Sequence, residues 1–199
     1  DEVRLSFTDD SSTGFDFSGF ELFTVTGSAG NDTIRGSNGN DVLRGGAGDD
    51  TIHGRGGVDV LEGGDGDDRF DVVGAGSKVR GGAGLDRITR FDLSGATEAV
   101  TITYADGNLA LAGDDGTEIT GVEEIHNIAS GAGDDRVDMG FWIGSGFSSG
   151  GGGTDRLIVD YSGTAPDGRV AKSVSFNPDA RGDEVRLSFT DDSSTGFDF

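Results

Sequence analysis

Apolar residues recur at every ninth position through much of the first half of the chain. Residues 27–89 divide into seven units of nine, all opening with glycine except the unit that opens at Val72. The eighth position is always apolar, in Ile34, Leu43, Ile52, Leu61, Phe70, Val79 and Ile88. Glycines at the first, second and fourth positions permit backbone angles that a Cβ atom would forbid. The last three residues suit a short strand with one side chain pointing inward. Each unit is therefore predicted to be half turn and half strand.

Two units, or eighteen residues, make one predicted coil of turn, strand, turn and strand. Stacked coils would pair each strand with the strand two units later, so that side chains eighteen residues apart lie over one another. Aspartate fills the sixth position of every unit except one, which has Ser77. The stacked aspartates are Asp32, Asp50, Asp68 and Asp86 on one edge, and Asp41 and Asp59 on the other. A metal site above Asp59 would lack its second carboxylate and is expected to be weak or empty.

Stacked carboxylates one strand spacing apart, roughly 4.8 Å, would repel one another. A divalent cation between successive turns removes that repulsion, and carboxylate and carbonyl oxygens are hard ligands that suit Ca²⁺. The motif returns in residues 130–138 and 150–158, where Asp135 and Asp155 fill the sixth position. The predicted metal ligands are thus Asp32, Asp41, Asp50, Asp59, Asp68, Asp86, Asp135 and Asp155.

A unit such as Gly45-Gly-Ala-Gly-Asp-Asp-Thr-Ile-His53 resembles the RTX nonapeptide repeat, whose form is G-G-x-G-x-D-x-U-x. The resemblance implies an all-β fold: a calcium-loaded, right-handed parallel β-roll or β-helix, here with longer-strand inserts. It also implies a secreted or cell-surface protein of a bacterium, exported by type I secretion. The alternative is a flexible Gly/Asp-rich linker, but linkers do not keep an apolar residue at every ninth position.

The pattern divides the chain into five parts. They are a strand-rich half insert at 1–26, the nonapeptide block at 27–89, a strand-rich insert at 90–129, a second short block at 130–158 and a final strand-rich insert at 159–199. Helix signals are nearly absent, and the two prolines are expected in loops. Coils of about 18–25 residues are expected throughout, each rising about 4.8 Å.

Residues 1–17 and 183–199 are identical, at an offset of 182 residues. Such identity is not required by folding, so the chain is interpreted as slightly more than one period of a tandem array. The alternative is that the second copy is an artificial addition. In an array the periods are expected to continue end to end, and a free strand edge would pair with a neighbouring repeat or another copy.

A net charge of −22 disfavours nucleic acid and anionic membranes as partners. It also predicts poor folding without cations, since the acids cluster at turns. Cysteine is absent, so neither disulfides nor thiolate metal sites exist. The sequence contains no signal peptide or apolar membrane-spanning run. In the resembled family the export signal lies at the far C-terminus of the parent protein.

No catalytic constellation is evident. His53 and His126 are the two histidines, and His53, at a ninth position, is expected on the surface. Paired acids such as Asp49-Asp50 could suggest glycosidase chemistry, but their place in the repeat makes the second a ligand and the first a turn residue. Phe141 and Trp142 are interpreted as filling wider coils rather than as a sugar-stacking or self-association patch. The chain is therefore predicted not to be an enzyme.

The function that these features predict is structural: a calcium-stiffened rod in a large extracellular protein of the adhesin, filament, surface-layer or biofilm-matrix type. The alternative is an accessory repeat domain of a type I-secreted enzyme or toxin. Near-identical long periods favour the structural array. A third possibility, a polysaccharide lyase built on a β-helix, needs a basic or tyrosine-rich groove, and the chain has two tyrosines.

Overall fold

A computed structural model of the protein describes residues 20–71, 73–105, 108–112, 116–138, 148–158, 160, 162, 171–179, 182–189 and 194–198. Every regular element within these ranges is a β-strand. No helix there is long and apolar enough to cross a bilayer. The predicted all-β class is confirmed.

Eighteen strands form a solenoid, and most contain two or three residues because each nonapeptide leaves little chain between turns. In chain order the first ten are β1 (Thr24–Thr26), β2 (Thr33–Arg35), β3 (Val42–Ala47), β4 (Thr51–His53), β5 (Val60–Asp65), β6 (Arg69–Phe70), β7 (Val73–Gly74), β8 (Lys78–Ala83), β9 (Arg87–Ile88) and β10 (Phe91–Asp92). The next eight are β11 (Thr101–Ala105), β12 (Asn108–Ala112), β13 (Glu118–Thr120), β14 (Glu124–Ile125), β15 (Ile128–Ala129), β16 (Arg136–Asp138), β17 (Ser148–Ser149) and β18 (Arg156–Ile158).

Alternate strands of the nonapeptide block enter two parallel sheets. Their strand orders are β1-β3-β5-β8-β13 and β2-β4-β6-β9-β14. Thr33 pairs with Thr51 in one sheet, and Val42 pairs with Val60 in the other, so paired residues are eighteen apart. The predicted eighteen-residue coil is confirmed here, and we call the coils between residues 24 and 88 the narrow coils.

The eighth-position side chains fill the space between these two sheets. All seven, from Ile34 to Ile88, are at most 1% exposed and belong to one hydrophobic cluster. The corresponding residue of the last unit, Leu157, is 40% exposed. The inward position of the repeat therefore builds a continuous core in the narrow coils, and burial decreases toward the end of the solenoid.

After the narrow coils the solenoid widens. Lys78 pairs with Glu118 and Thr101 pairs with Arg136, so 40 and 35 residues separate paired positions. Two further sheets, β7-β10-β15-β17 and β12-β11-β16-β18, receive the additional strands. The expectation of coils of about 18–25 residues is wrong for this part. The segment between β9 and β13 adds three strands, β10 to β12, before the chain returns to β8.

The predicted longer strands of the insert are present. β11 and β12 form an antiparallel hairpin in which Ile102 lies opposite Leu111. β11 also pairs in parallel with β16, and β16 pairs with β18, where Arg136 lies opposite Arg156. The twenty-residue spacing of the second short block is therefore real. It also separates Ile128 from Ser148, so the last coil is again within the expected 18–25 residues.

Ninth-position side chains pair across the outer faces of the narrow coils. The Glu62 carboxylate lies 2.7 Å from the Arg44 guanidinium and 3.3 Å from that of Arg80. On the other sheet, His53 Nδ1 lies 2.8 Å from the Asp71 carboxylate, and the His53 side chain is 18% exposed. His53 lies on the outer face as expected, but the stacked partner one coil later partly covers it.

The last described elements leave the solenoid pattern. β19 (Ala171–Asp179), β20 (Gly182–Phe189) and β21 (Ser194–Asp198) form an antiparallel sheet in that order. Pro178 lies in β19, not in a loop as expected; β19 is an edge strand, which tolerates a missing N–H. Residues 1–17, Phe141, Trp142 and Pro166 lie outside the described residues, so the expectations about them stay predictions.

Candidate metal site

One edge of the narrow coils carries four stacked aspartates. This four-aspartate edge comprises Asp32, Asp50, Asp68 and Asp86, all buried. Each backbone N–H donates to the carboxylate of the next aspartate along the edge, at 2.7 Å for Asp32 to Asp50 and 2.8 Å for the two later pairs. The eighteen-residue spacing thus produces a continuous ladder of buried carboxylates.

The opposite edge carries a shorter ladder. This two-aspartate edge comprises Asp41, Asp59 and Ser77, which are also buried. The N–H of Asp41 donates to the Asp59 carboxylate at 2.9 Å, and the N–H of Asp59 donates to the Ser77 hydroxyl at 3.0 Å. Ser77 supplies the hydrogen-bond acceptor that aspartate supplies elsewhere, but it brings no charge.

Both edges end on residues that sequence spacing did not reveal. The N–H of Asp86 donates to the Glu123 carboxylate at 2.8 Å, across 37 residues. The N–H of Gly76, beside Ser77, donates to the Thr117 hydroxyl at 2.6 Å, across 41 residues. The signal that could have found them is the pattern at Ile119, Val122 and Ile125, whose buried side chains continue the core.

One carboxylate oxygen on much of the four-aspartate edge has no hydrogen-bond partner. Oδ2 of Asp50, Asp68 and Asp86 is buried and unsatisfied among the described residues. In the first two units the same oxygen is satisfied, because Asp32 Oδ2 accepts from the Ser28 N–H at 2.5 Å and Asp41 Oδ2 from the Ser37 N–H at 2.5 Å. Later units of this edge have glycine with positive φ at the second position, such as Gly46 with φ 127°. A buried carboxylate oxygen without a protein partner is available to a ligand such as a cation.

The first-position glycines leave space beside these oxygens. A Cβ on Gly45 would collide with Asp50 Oδ2 and lie 2.7 Å from the Gly63 carbonyl oxygen. A Cβ on Gly63 would likewise meet Asp68 Oδ2 and lie 2.6 Å from the Gly81 carbonyl oxygen. Each space is therefore bordered by a carboxylate oxygen from its own coil and a backbone carbonyl from the next.

The stacked carboxylates are electrostatically unfavourable as anions. Burial raises the pKa of Asp59, Asp68 and Asp86 to about 6, and repulsion by a neighbouring acid adds to the effect. Burial is also the main cause of the raised pKa of Asp50. At neutral pH these groups are charged in surroundings that disfavour their charge, and a cation would relieve this.

The donor set fits Ca²⁺ rather than a metal held by side chains alone. No group of three or more His, Cys, Asp or Glu side chains converges among the described residues. The stacking explains this, because each edge supplies one carboxylate per coil and the remaining oxygens come from backbone carbonyls. Mixed carboxylate and carbonyl oxygens are characteristic calcium ligands.

The second short block repeats this arrangement on a smaller scale. Asp135 accepts from the Val100 N–H at 2.8 Å, and its own N–H donates to Asp155 at 3.0 Å. Asp135 Oδ2 is buried and has no hydrogen-bond partner within the described part of the chain, like Oδ2 of Asp50, Asp68 and Asp86. A Cβ on Gly150 would collide with Asp155 Oδ2. Asp135 and Asp155 are thus brought together. Their hydrogen-bonded ladder starts at Val100 and contains none of the six other predicted ligands.

A second ladder lies outside the buried one, at the fifth position. Each side-chain oxygen accepts from the backbone N–H of the fifth residue one coil later. The Asp49 N–H donates to Asn31 at 2.9 Å, and the Asp67 N–H donates to Asp49 at 3.0 Å. The N–H of Leu85 continues it to Asp67 at 2.9 Å. In the described Asp-Asp pairs the first acid, Asp49, Asp67 or Asp134, is therefore an exposed hydrogen-bond acceptor, a role that the sequence interpretation missed.

Fold and edges together define a parallel β-solenoid with glycine-rich turns that present buried carboxylates toward spaces lined by carbonyl oxygens. Residues 24–52 and 35–70 match the family model of the RTX calcium-binding nonapeptide repeat, in four copies. Residues 24–70 are therefore RTX calcium-binding nonapeptide repeats, as the sequence predicted. A search of the curated proteins found no match to the chain.

Proposed function

We propose that the chain is a structural repeat of a large extracellular bacterial protein, in which bound Ca²⁺ stiffens the solenoid into a rod. The observation that carries this proposal is the row of unsatisfied buried oxygens on Asp50, Asp68 and Asp86. Each lies beside a first-position glycine, and a carbonyl oxygen from the next coil borders the same space. A cation there would satisfy both oxygens and link successive coils.

The residues that would hold Ca²⁺ follow from this geometry. The carboxylates are those of Asp50, Asp68, Asp86 and Asp135, and the carbonyls of Gly63 and Gly81 border the first two spaces. Bound Ca²⁺ would supply positive charge and would be coordinated by these oxygens. The chain's own contribution is to hold the carboxylates of the stacked coils in a row through backbone N–H donors.

Stiffening at the edges suits a load-bearing or scaffolding role outside the cell, in an adhesin, filament, surface layer or biofilm matrix. Repeats of this family typically occur in secreted bacterial proteins. The identity of residues 1–17 and 183–199 supports a tandem array over the alternative, an accessory domain of a type I-secreted enzyme or toxin. We propose neither catalysis nor nucleic-acid or membrane partners for this chain.

Calcium-dependent folding tests the proposal. Far-UV circular dichroism of the chain should show little β-structure in chelator and full β-structure in millimolar Ca²⁺, because the net charge of −22 opposes stacking of the turns. Mg²⁺ should substitute poorly, since it demands a tighter octahedron and retains its waters. Equal β-structure with and without Ca²⁺ would remove the basis for a calcium-stiffened rod.

A further inference from the structure

The four-aspartate edge ends on a turn that lies outside the nonapeptide block. Because β13 pairs with β8 and β14 pairs with β9, residues 121–123 stack on residues 81–86, the last turn of the block. We call residues 121–123 the junction turn. It has three residues where the nonapeptide turn has six, and the insert that carries β10, β11 and β12 lies between the two turns. The junction turn is therefore where the chain returns from the insert to the narrow coils.

The junction turn supplies the same two kinds of oxygen as a nonapeptide turn. The Glu123 carboxylate accepts from the Asp86 N–H at 2.8 Å, as the next aspartate does earlier on this edge. A Cβ on Gly81 would overlap the Gly121 carbonyl oxygen and would also meet Asp86 Oδ2. The space beside Gly63 is bordered by the same kinds of oxygen. The edge therefore presents one further space of this type, whose far side is not built from a nonapeptide.

Glutamate rather than aspartate suits the shorter turn. The N–H groups of Glu123 and Glu124 both donate to the Asp86 carbonyl oxygen, at 3.0 and 3.1 Å, and hold the junction turn against the nonapeptide turn. The Glu123 side chain is one methylene longer than that of aspartate, and its carboxylate reaches the Asp86 N–H from a turn that is three residues shorter. The carboxylate of the ladder is thus kept although the glycine-rich part of the turn is lost.

An unsatisfied oxygen marks the space between the two turns. Asp86 is fully buried, and its Oδ2 has no hydrogen-bond partner among the described residues. This oxygen lies beside Gly81, which the Gly121 carbonyl oxygen also approaches. Glu123 adds a second negative charge, which repels the Asp86 carboxylate. A cation in this space would satisfy the Asp86 oxygen and offset the repulsion.

The two-aspartate edge shows that closing a ladder does not require an acid. There the chain returns with Thr117, which aligns with Ser77 in the pairing of β13 with β8. The Thr117 hydroxyl accepts from the Gly76 N–H at 2.6 Å. A neutral residue closes the ladder that has become neutral, and an acid closes the acidic ladder. Glu123 therefore matches the chemistry of its edge and not only the need for a hydrogen-bond acceptor.

We infer a Ca²⁺ site in this space, formed by Asp86 Oδ2, the Gly121 carbonyl oxygen and the Glu123 carboxylate. These residues lie outside residues 24–70, which match the repeat family, and the junction turn has no nonapeptide sequence. The inference rests on the proposed function, because it places the same ion in the same kind of space. One bound ion would link carboxylates that are 37 residues apart and would fasten the base of the insert to the narrow coils.

Glu123→Gln separates metal binding from closure of the turn, because the amide oxygen keeps an acceptor for the Asp86 N–H and removes the charge. Equilibrium dialysis against radioactive Ca²⁺ should show one bound ion fewer per chain. Glu124→Gln is the matched control and should bind as much Ca²⁺ as the unsubstituted chain, since the Glu124 carboxylate lies 3.3 Å from His126. Equal binding by the two variants would overturn the inference and leave Glu123 with a hydrogen-bonding role alone.

Hydrogen exchange in saturating Ca²⁺ locates the lost ion. In Glu123→Gln the amides of β13 and β14 should exchange faster, because the junction turn is no longer fastened, whereas those of β2 and β4 should exchange as before. Unchanged exchange in β13 and β14 would contradict a link between the insert and the narrow coils.

Crystals of the unsubstituted chain grown in Ca²⁺ cover the case in which Glu123→Gln does not fold. Anomalous scattering should give a peak beside Gly81, about 2.3–2.6 Å from Asp86 Oδ2 and the Gly121 carbonyl oxygen, the usual distances for calcium. Peaks beside Gly45 and Gly63 but none beside Gly81 would overturn the junction site and leave the calcium-stiffened narrow coils intact. The absence of a peak at all three positions would reject the proposed function as well.

Discussion

The two edges of the narrow coils are built from the same nine-residue unit, yet they present different chemistry to a cation. On the four-aspartate edge a carboxylate follows in every coil and the ladder ends on Glu123. On the two-aspartate edge the ladder passes from Asp59 to the neutral Ser77. The backbone hydrogen bonds continue in both cases, so the fold needs only an acceptor at this position, whereas metal binding needs a charge.

The second position of the unit explains a further difference. Serine there directs its N–H to the carboxylate, as Ser28 and Ser37 do, and leaves no free oxygen on Asp32 and Asp41. Glycine with positive φ, as at Gly46, leaves Oδ2 of Asp50 without a partner. On the two-aspartate edge Arg55 occupies this position with φ 71°, a conformation unusual for a residue with a side chain. The hydrogen bonding of the second carboxylate oxygen therefore varies from unit to unit within one repeat pattern.

The largest effect is expected from filling one of the spaces beside the four-aspartate edge. In Gly45→Ala the added methyl would overlap the Asp50 carboxylate and approach the Gly63 carbonyl, which is backbone and cannot rotate away. We expect a loss of about 3 kcal/mol in unfolding free energy in Ca²⁺, the upper range for overpacking. Urea titration in saturating Ca²⁺ measures it.

Gly56→Ala is the matched control for this substitution. A Cβ on Gly56 would lie 3.6 Å from Asn38, an ordinary van der Waals contact, in a turn of the two-aspartate edge. Its unfolding free energy should change by less than about 1 kcal/mol. Similar losses of unfolding free energy in the two variants would mean that a side chain beside Asp50 costs no more than one elsewhere in the turns.

The nine-residue period predicted the narrow coils because three independent signals agree in every unit except the one that opens at Val72. Glycines fix the turns, the eighth residue fills the core, and the aspartate stacks on its counterpart eighteen residues away. The period could not predict the ends of the ladders. Glu123 and Thr117 reach them from 37 and 41 residues away, a distance set by the length of an insert and not by the repeat.

The sequence pattern also could not predict which aspartates have a second carboxylate oxygen without a hydrogen-bond partner. All eight predicted ligands share one position in the unit, but their second oxygens differ in whether a backbone N–H satisfies them. In the narrow coils the unsatisfied oxygens of Asp50, Asp68 and Asp86 coincide with glycine of positive φ at the second position, as at Gly46. The sequence predicted only that the region of β19, β20 and β21 is strand-rich, because this antiparallel pairing does not depend on the nine-residue repeat.

A smaller effect should separate the carboxylates of the two edges. Asp50→Ala removes an unsatisfied oxygen that is flanked along its edge by Asp32 and Asp68. Asp59→Ala removes a carboxylate whose next neighbour is Ser77. Calcium affinity by titration calorimetry should fall at least about tenfold more for Asp50→Ala, equivalent to about 1.4 kcal/mol. The opposite order would contradict the assignment of the edges.

The calcium-free chain should gain stability on acidification. Burial raises the pKa of Asp59, Asp68 and Asp86 to about 6 in the folded chain, from an ordinary value of 3.8. Between these values the folded state binds more protons than the unfolded state, so stability falls as pH rises through this window and is lowest above about 6. Circular dichroism in calcium-free buffer should therefore show more β-structure at pH 5 than at pH 7.

Substituting asparagine for aspartate tests whether the carboxylates of the two edges cause this pH effect. Asp59→Asn and Asp68→Asn each remove one titrating group, and both should reduce the gain in β-structure between pH 7 and pH 5 in calcium-free buffer. Only Asp68→Asn should also weaken calcium binding strongly, because it lies on the four-aspartate edge. An unchanged pH response in both variants would show that these carboxylates do not control folding of the calcium-free chain.

The smallest effect should come from the exposed ladder at the fifth position. Asp67 accepts from the Leu85 N–H at 2.9 Å, while Asn31 and Asn40 accept in the same way from Asp49 and Val58. An amide oxygen therefore suffices for this role. Asp67→Ala should lower the unfolding free energy in saturating Ca²⁺ by about 1 kcal/mol, the usual net value of a hydrogen bond.

Asp67→Asn is the informative partner of this substitution, because it keeps the acceptor and removes the charge. Its thermal midpoint should stay within about 1 °C of the unsubstituted chain, against a drop of about 2–4 °C for Asp67→Ala. Calcium affinity should be nearly the same in both variants, since the Asp68 carboxylate and not that of Asp67 lies beside Gly63 and the Gly81 carbonyl. If Asp67→Asn instead lost as much calcium affinity as Asp50→Ala, the outer ladder would have to be counted among the metal ligands, and the distinction between buried and exposed ladders would fail.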